Sequence, residues 1–337
     1  MKESQRVDRN EMLTIHKILF TLCSIVIIYN YYYTEVNVVC VKDPKFTLLD
    51  PQNTTVIKVD DVYDQLIDIK NFSFKINPQP CDEYPAGFLL MIIVSSNPSN
   101  FDNRMVIRST WGREIESTKL VFLVGEPENL TISQKVLAES ALYGDIVQGN
   151  FKDEYRNMTY KHVMGLKWVS HHCSQAKYVL KTDDDVVVNL DALLHFLGRE
   201  LSPWGAKGLI TCHVAVHAEV QRSDESKWKV TAEEYKFEFY PNYCAGWAIL
   251  YSQDVVPQLL KAAQNTPYFW IDDVHITGDL AQKIGVARTQ LSNLILSSRK
   301  ADVLAKLGPR YAGHFLFGPP DLKVERINQL WHALHDS

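Results

Sequence analysis

The sequence has no long run of basic residues, and its 35 Lys and Arg are outnumbered by 40 Asp and Glu, for a formal net charge of −5. That balance argues against a nucleic-acid partner, because phosphate backbones are held by clustered cations. No Gly-x-Gly-x-x-Gly fingerprint occurs in the 337 residues, so a dinucleotide cofactor has no loop to cradle its pyrophosphate. Cys-x-x-Cys is also absent, and the spacings of the six cysteines do not suggest a zinc site. What is present is ordinary for one main globular domain with appendages: 46% hydrophobic and 22% charged residues.

The N-terminus departs from that average. Lys2, Arg6, Arg9 and Lys17 precede an apolar run from Ile18 to Tyr33, and Glu35 follows it. The run is a little short for a bilayer, but a snorkelling Lys17 extends it and the cluster Tyr29, Tyr31, Tyr32 and Tyr33 suits a membrane–water interface. No small-residue cleavage site follows, which favours an uncleaved signal anchor over a cleaved signal peptide. A buried core helix would leave the basic flank without a role. The expected layout is a cytoplasmic tail at 1–17, a single-pass transmembrane helix at 18–34, a stem at 35–80 ending in Asn77-Pro78-Gln79-Pro80, and a globular domain at 81–337.

Sequons at Asn53, Asn71, Asn129 and Asn157 all lie beyond the run, whereas Asn97-Pro98-Ser99 is excluded by its proline. Cys23 sits within the run. Cys40, just outside it, offers a crosslink between two copies, which makes a homodimer one expectation. Cys81, Cys173, Cys212 and Cys244 suit disulfides in an oxidising lumen, with all three pairings open.

The globular part alternates strand and helix patterns. Ala86–Val94, Lys119–Gly125 and Asp145–Gln148 read as strands, Leu130–Leu142 and Tyr160–His172 as helices, and a short amphipathic helix is expected at Val59–Ile69. This alternation predicts an α/β sheet with parallel strands. Tyr178-Val179-Leu180 then runs into Lys181-Thr182-Asp183-Asp184-Asp185. Three carboxylates at a strand's carboxyl end suit a hard divalent cation, since ligands of open α/β sheets bind there; a solvated acidic turn is the alternative. Arg104 and Arg108 lie four apart on a helix and suit a diphosphate, or else simply a solvated face. His171-His172 reads as a helix-end dipole partner or plain surface. Residues 219–240 are polar, charged and aromatic, as in a substrate loop or a solvated excursion. Asp272-Asp273 reads either as a helix cap or as a carboxylate poised to accept a proton.

Five motifs occur in order: Arg-x-x-x-Arg-x-Thr-Trp-Gly at 104–112, Phe-Leu-Val-Gly at 122–125, Lys-Thr-Asp-Asp-Asp-Val within 173–189, Tyr-Pro-x-Tyr-Cys-Ala-Gly at 240–246, and Asp-Asp-Val-x-x-x-Gly at 272–278. Together they resemble the β-1,3-glycosyltransferase family of β-1,3-galactosyltransferases and β-1,3-N-acetylglucosaminyltransferases, over roughly residues 81–290. The resemblance implies a GT-A-type fold with a mostly parallel sheet, type II topology in the Golgi membrane, a UDP-sugar donor, a glycan acceptor on glycoprotein or glycolipid, and Mn²⁺. By position it implies Asp183 and Asp185 as metal-linked carboxylates with Asp184 between them. It further implies Arg104 and Arg108 near the nucleotide and Asp273 as catalytic base. His314 is the candidate for the family's C-terminal metal-ligand histidine. Asp272 stands where many galactosyltransferases of the family carry Glu, which leaves the donor open between galactose and N-acetylglucosamine. A catalytically silent glycan-binding or chaperone-like lumenal protein is the alternative reading.

Overall fold

The computed structural model describes residues 45–52, 59–84 and 86–335. The expected tail and anchor, Cys23, Cys40 and the Asn53 sequon lie outside the described residues. Among the described residues no helix is long and apolar enough to cross a membrane.

The strands in chain order are β1 (Thr47–Leu48), β2 (Gln65–Leu66), β3 (Ile69–Lys70), β4 (Phe74–Ile76), β5 (Phe88–Ser95), β6 (Thr118–Glu126), β7 (Ile146–Lys152), β8 (Ala176–Asp183), β9 (Ala206–Lys207), β10 (Ile210–Ala215), β11 (Tyr243–Ser252) and β12 (Arg288–Gln290). An 8-stranded sheet has the order β12-β10-β11-β8-β5-β6-β7-β4. It is mixed: β8, β5, β6 and β7 run parallel, β11 is antiparallel to both of its neighbours, and β4 is an antiparallel edge.

The apolar runs are continuous because both faces of the sheet are covered. Along β5, Met91 and Ile93 join the core on one face and Leu90, Ile92 and Val94 the core on the other. The helices in chain order are α1 (Phe101–Ser109), α2 (Leu130–Tyr143), α3 (Met158–His172), α4 (Leu190–His195) and α5 (Val255–Gln264); α3 and α5 cover the first face, and α1 and α4 pack into the core on the other. Helix α3 lies so close to the sheet that a Cβ on Gly165 would come within 2.5 Å of Leu123 Cδ1. Helix α2 is bounded by local chemistry. The Asn129 side chain accepts from the Thr131 and Ile132 amides, and Gly144 closes the other end at φ 65°.

Strand β5 sends the chain to β6 on one side and lies beside β8 on the other, so strand order reverses at this point. The carboxyl ends meet there as the register pair Ser95 and Asp183. Such a switch point opens a crevice beyond the strand ends.

The structure corrects the expected stem. Residues from 59 onward are part of the globular fold: Leu66, Ile67 and Phe72 are buried, and β4 completes the main sheet. The helix expected at 59–69 is a hairpin instead. β2 and β3 pair across Ile67 and Asp68, with Ile67 at φ 54°. Helix is broken there because apolar side chains and Asp61 are drawn onto α3, where Asp61 pairs with the fully buried Lys167. The four cysteines of the globular part form Cys81–Cys173 and Cys212–Cys244. Burying each large apolar side chain is worth roughly 1.5–3 kcal/mol. A chain begun at residue 81 is therefore expected to melt well below one begun at residue 45. Equal melting temperatures in calorimetry would count against this account of the strap.

Candidate active site

The switch point opens into a cavity of about 770 Å³ lined by Lys181, Asp183, Asp185, Asp272, Asp273 and Asp321, with Trp228, Trp247, Trp270, Tyr155 and Tyr243 as aromatic walls. A second cavity of about 450 Å³ meets it at Asp185 and Asp321 and is bordered by Asn100, Asn103 and Asp184.

Lys181 organises the first cavity. It shares a face of β8 with Val179 and Asp183, by the period of two. Its Nζ donates to Asp183 Oδ1 at 2.7 Å and to the Gly246 carbonyl at 2.6 Å, and lies 3.9 Å from Asp272 Oδ2. Burial opposes its charge, but Asp183 and Asp272 more than offset that, and its pKa is raised. Asp272 is also held by His162 Nδ1 at 2.9 Å, while His162 Nε2 meets the Tyr251 hydroxyl at 3.1 Å. Burial lowers the pKa of His162. A neutral ring with its proton on Nδ1 satisfies both contacts, donating to Asp272 and accepting from Tyr251.

Asp272 and Asp273 are adjacent carboxylates with opposite fates. Burial would raise Asp272, but the Lys181 charge and the His162 bond overcome it and hold it below the usual range. Asp273 is pushed up, first by burial and then by the charge of Asp272. Its Oδ1 accepts from the Val274 amide at 2.8 Å and its Oδ2 from the Gly246 amide at 3.2 Å. It caps a π-type segment, Val274–Leu280. Thr277 joins that segment to β11: its hydroxyl accepts from the Cys244 amide at 2.8 Å and donates to the Asp273 carbonyl at 2.6 Å. Environments that split two carboxylates in this way suit one to stay ionised and the other to exchange a proton.

At the other end Asp185 is pushed up to about 7 by burial and by the charges of Asp183, Asp184 and Asp321. Its Oδ1 is buried without a hydrogen-bond partner. A hard divalent cation fits this oxygen set, since Mg²⁺-type sites commonly use one or two carboxylates and complete their shell with water and phosphate. Among the described residues no group of three His, Cys, Asp or Glu side chains has metal-holding geometry. His314 is exposed and lines neither cavity.

The arginine pair expected at a diphosphate is committed instead to carboxylates of the chain. Arg104 forms a buried pair with Glu139, and Arg108 bonds Glu139 and Asp145. Asp184 is turned away from the first cavity, accepting from Ser96 Oγ at 2.6 Å and Asn100 Nδ2 at 3.1 Å. The sequence reading overlooked Lys181, His162 and Asp321. The signal for Lys181 was a lysine inside an apolar strand pattern. Asp321 follows Gly318-Pro319-Pro320 and takes φ 60°, which reads locally as an ordinary turn. Two aromatic donors were also missed: Tyr240 Oη and Trp270 Nε1 are buried, belong to residues lining the first cavity, and have no hydrogen-bond partner among the described residues.

The Galactosyltransferase family model matches residues 102–292, more than half of the chain, and spans Asp183–Asp185, Tyr240 and Asp273. The chain belongs to the galactosyltransferase family. It is 34% identical to human β-1,3-galactosyltransferase 1 (Homo sapiens) over 221 residues, covering 64% of this chain and 66% of that protein. It is 33% identical to β-1,3-galactosyltransferase 5 of Gorilla gorilla gorilla over 206 residues, or 60% and 67% of the two chains. The matched stretch thus spans about two thirds of these relatives. A galactosyltransferase crystal structure with donor and acceptor sugar analogues aligns over 73% of this chain and 96% of its own, at 10% identity and TM-score 0.36. That likeness is too slight to carry an argument.

In this galactosyltransferase-family chain, Lys181 compensates an otherwise acidic pocket. Replacing Lys181 with Met is expected to destabilise the fold by roughly 3–5 kcal/mol, the usual cost of removing one partner from a buried charge cluster. Denaturant unfolding at neutral pH checks this, and a loss below 1 kcal/mol would assign the cluster a smaller role.

Proposed function

We propose that this chain is a β-1,3-galactosyltransferase-like enzyme that moves galactose from UDP-galactose to a hydroxyl of a glycan acceptor, with inversion at the anomeric carbon. The observation that carries the reading is Asp273, a half-buried carboxylate of raised proton affinity lining the same cavity as Asp183 and Asp185. The names of the relatives favour galactose over N-acetylglucosamine and support the β-1,3 linkage. A parallel half-sheet with a switch point, joined to an antiparallel half, supports the GT-A-type assignment.

The chemistry follows from the residues. An acceptor hydroxyl placed against Asp273 loses its proton to that carboxylate as its oxygen bonds to the anomeric carbon. The bond from that carbon to the diphosphate oxygen breaks, and UDP departs with the electron pair. Inversion follows from one displacement on the face opposite the leaving group. Gly246 and Val274 amides hold Asp273 in place, and Lys181 with His162 keeps Asp272 ionised beside it. Asp185 and Asp183 would hold a divalent cation such as Mn²⁺, which when bound supplies charge compensation for a diphosphate in a pocket of carboxylates. Aromatic walls suit the apolar faces of sugar rings, and the unpartnered Tyr240 and Trp270 donors suit their oxygens. Two disulfides support an oxidising lumenal setting, in line with a type II Golgi membrane protein anchored through residues 18–34.

The test uses the full-length chain in detergent with a panel of sugar nucleotides and glycan acceptors. UDP release with UDP-galactose is expected to require Mn²⁺ and to disappear in Asp185→Ala. Asp273→Asn is expected to lower kcat by about 10²–10⁴-fold. No turnover with any donor–acceptor pair would leave a glycan-binding protein as the better reading. The pH profile gives a separate check. Asp273 acts as a base only when deprotonated and its pKa is raised, so the rate falls as pH drops through that raised value. The acid limb is expected well above the usual carboxylate range; a limb near pH 4 would contradict the assignment.

A further inference from the structure

Behind the acidic run lies a buried network whose ion pair, Arg104 with Glu139, lines neither of the two cavities described above. Glu139 on α2 receives Arg104 in a two-pronged pair, Nε to Oε1 at 2.8 Å and Nη2 to Oε2 at 2.7 Å. Both side chains are 1% exposed. Arg104 Nη1 donates to Ser96 Oγ at 2.9 Å and to the Asn97 carbonyl at 2.6 Å, and Nη2 donates to the Pro98 carbonyl at 3.1 Å. The Ser96 hydroxyl then donates to Asp184 Oδ2 at 2.6 Å. Asn100 Nδ2 adds a second bond to that oxygen. Asn103 Nδ2 donates to the Asp184 carbonyl at 3.1 Å, and the Asp184 amide donates to Ser95 at 3.2 Å. The middle aspartate is therefore held at its side chain, its amide and its carbonyl.

We propose that Glu139, Arg104 and Ser96 are positioning residues that lock Asp184 and thereby direct the flanking Asp183 and Asp185 into the cavity. The inference rests on the functional reading above and deepens it, because it explains what the arginine does in place of holding phosphate. Its charge is matched by Glu139, so the network acts by geometry. A buried ion pair of this kind is often no more stable than an apolar pair of the same volume. Its presence behind the one run whose flanking carboxylates both line the cavity gives it a purpose that packing alone does not. Arg108 holds the same Glu139 from the next turn of α1 and anchors it to Asp145.

The experiment measures binding of Mn²⁺ alone by electron paramagnetic resonance, together with kcat, acceptor KM and melting temperature, on the full-length chain. Ser96→Ala is expected to weaken Mn²⁺ binding and lower kcat by about 10-fold each, in the range of other outer-shell substitutions. Acceptor KM and melting temperature should change little, and Ser96→Thr should restore both losses. Asn103→Ala, at a less buried position, should move the same readouts in the same direction by less, and it keeps the test open should Ser96→Ala fail to fold. A folded Ser96→Ala or Asn103→Ala chain with wild-type Mn²⁺ affinity and kcat overturns the relay. A wild-type chain that binds Mn²⁺ but transfers no sugar overturns the enzyme reading alone, and the Mn²⁺ titration of Ser96→Ala still decides the relay. A wild-type chain that does neither overturns both.

Discussion

The buried ammonium of Lys181 is the contact on which both ends of the site depend. It sits on β8, yet it bonds the Gly246 carbonyl of β11 and Asp183, and approaches Asp272. Without it, Asp183, Asp185, Asp272, Asp273 and Asp321 would share one partly dehydrated space with little to offset their repulsion. Charge in such a setting is strongly felt, because surrounding water is replaced by fixed protein groups. Lysine is suited to this position because its long stem crosses the apolar strand environment while its head donates to two acceptors and faces a third carboxylate.

That single cation also explains the division of labour between two neighbouring aspartates. Asp272 lies against Lys181 and His162 and stays ionised. Asp273, whose carboxylate accepts from two backbone amides, experiences burial and the charge of Asp272, so it holds a proton more tightly. The π-type segment that begins at Asp273 and the Thr277 bridge to Cys244 fix this difference in place. The Cys212–Cys244 disulfide ties the same strand to β10. The segment that follows Asp273 is thus hydrogen-bonded to a strand that a disulfide joins to its neighbour.

The parallel half builds the other wall differently. There the acidic run is fixed from behind, by Ser96, Asn100 and Asn103 on the segment that follows β5. The two halves converge because β8 is shared: parallel to β5 on one edge and antiparallel to β11 on the other. The mixed character of the sheet is therefore what brings Asp183 and Asp273 to one cavity.

Much of this was legible in the sequence, for identifiable reasons. Near-continuous apolar runs locate β5, β6 and β8, since only strands covered on both faces need them. The placement of Asp183–Asp185 at the end of β8 followed from local pattern alone, as did the boundaries of α2. The strap at 59–80 was not legible. Its short apolar runs resemble a stem until Leu66, Ile67 and Phe72 are seen against the domain. Nor were the partners of Arg104 and Arg108, because Glu139 and Asp145 lie more than thirty residues away. The sequence by itself determined the central strands β5, β6 and β8 and the helices α2 and α3, because those follow from neighbours two to four residues apart. Only the tertiary structure decided which charges face each other, the cysteine pairing, and that Asp272 and Asp273 differ. Those depend on distance and burial between segments remote along the chain, and no local pattern encodes them.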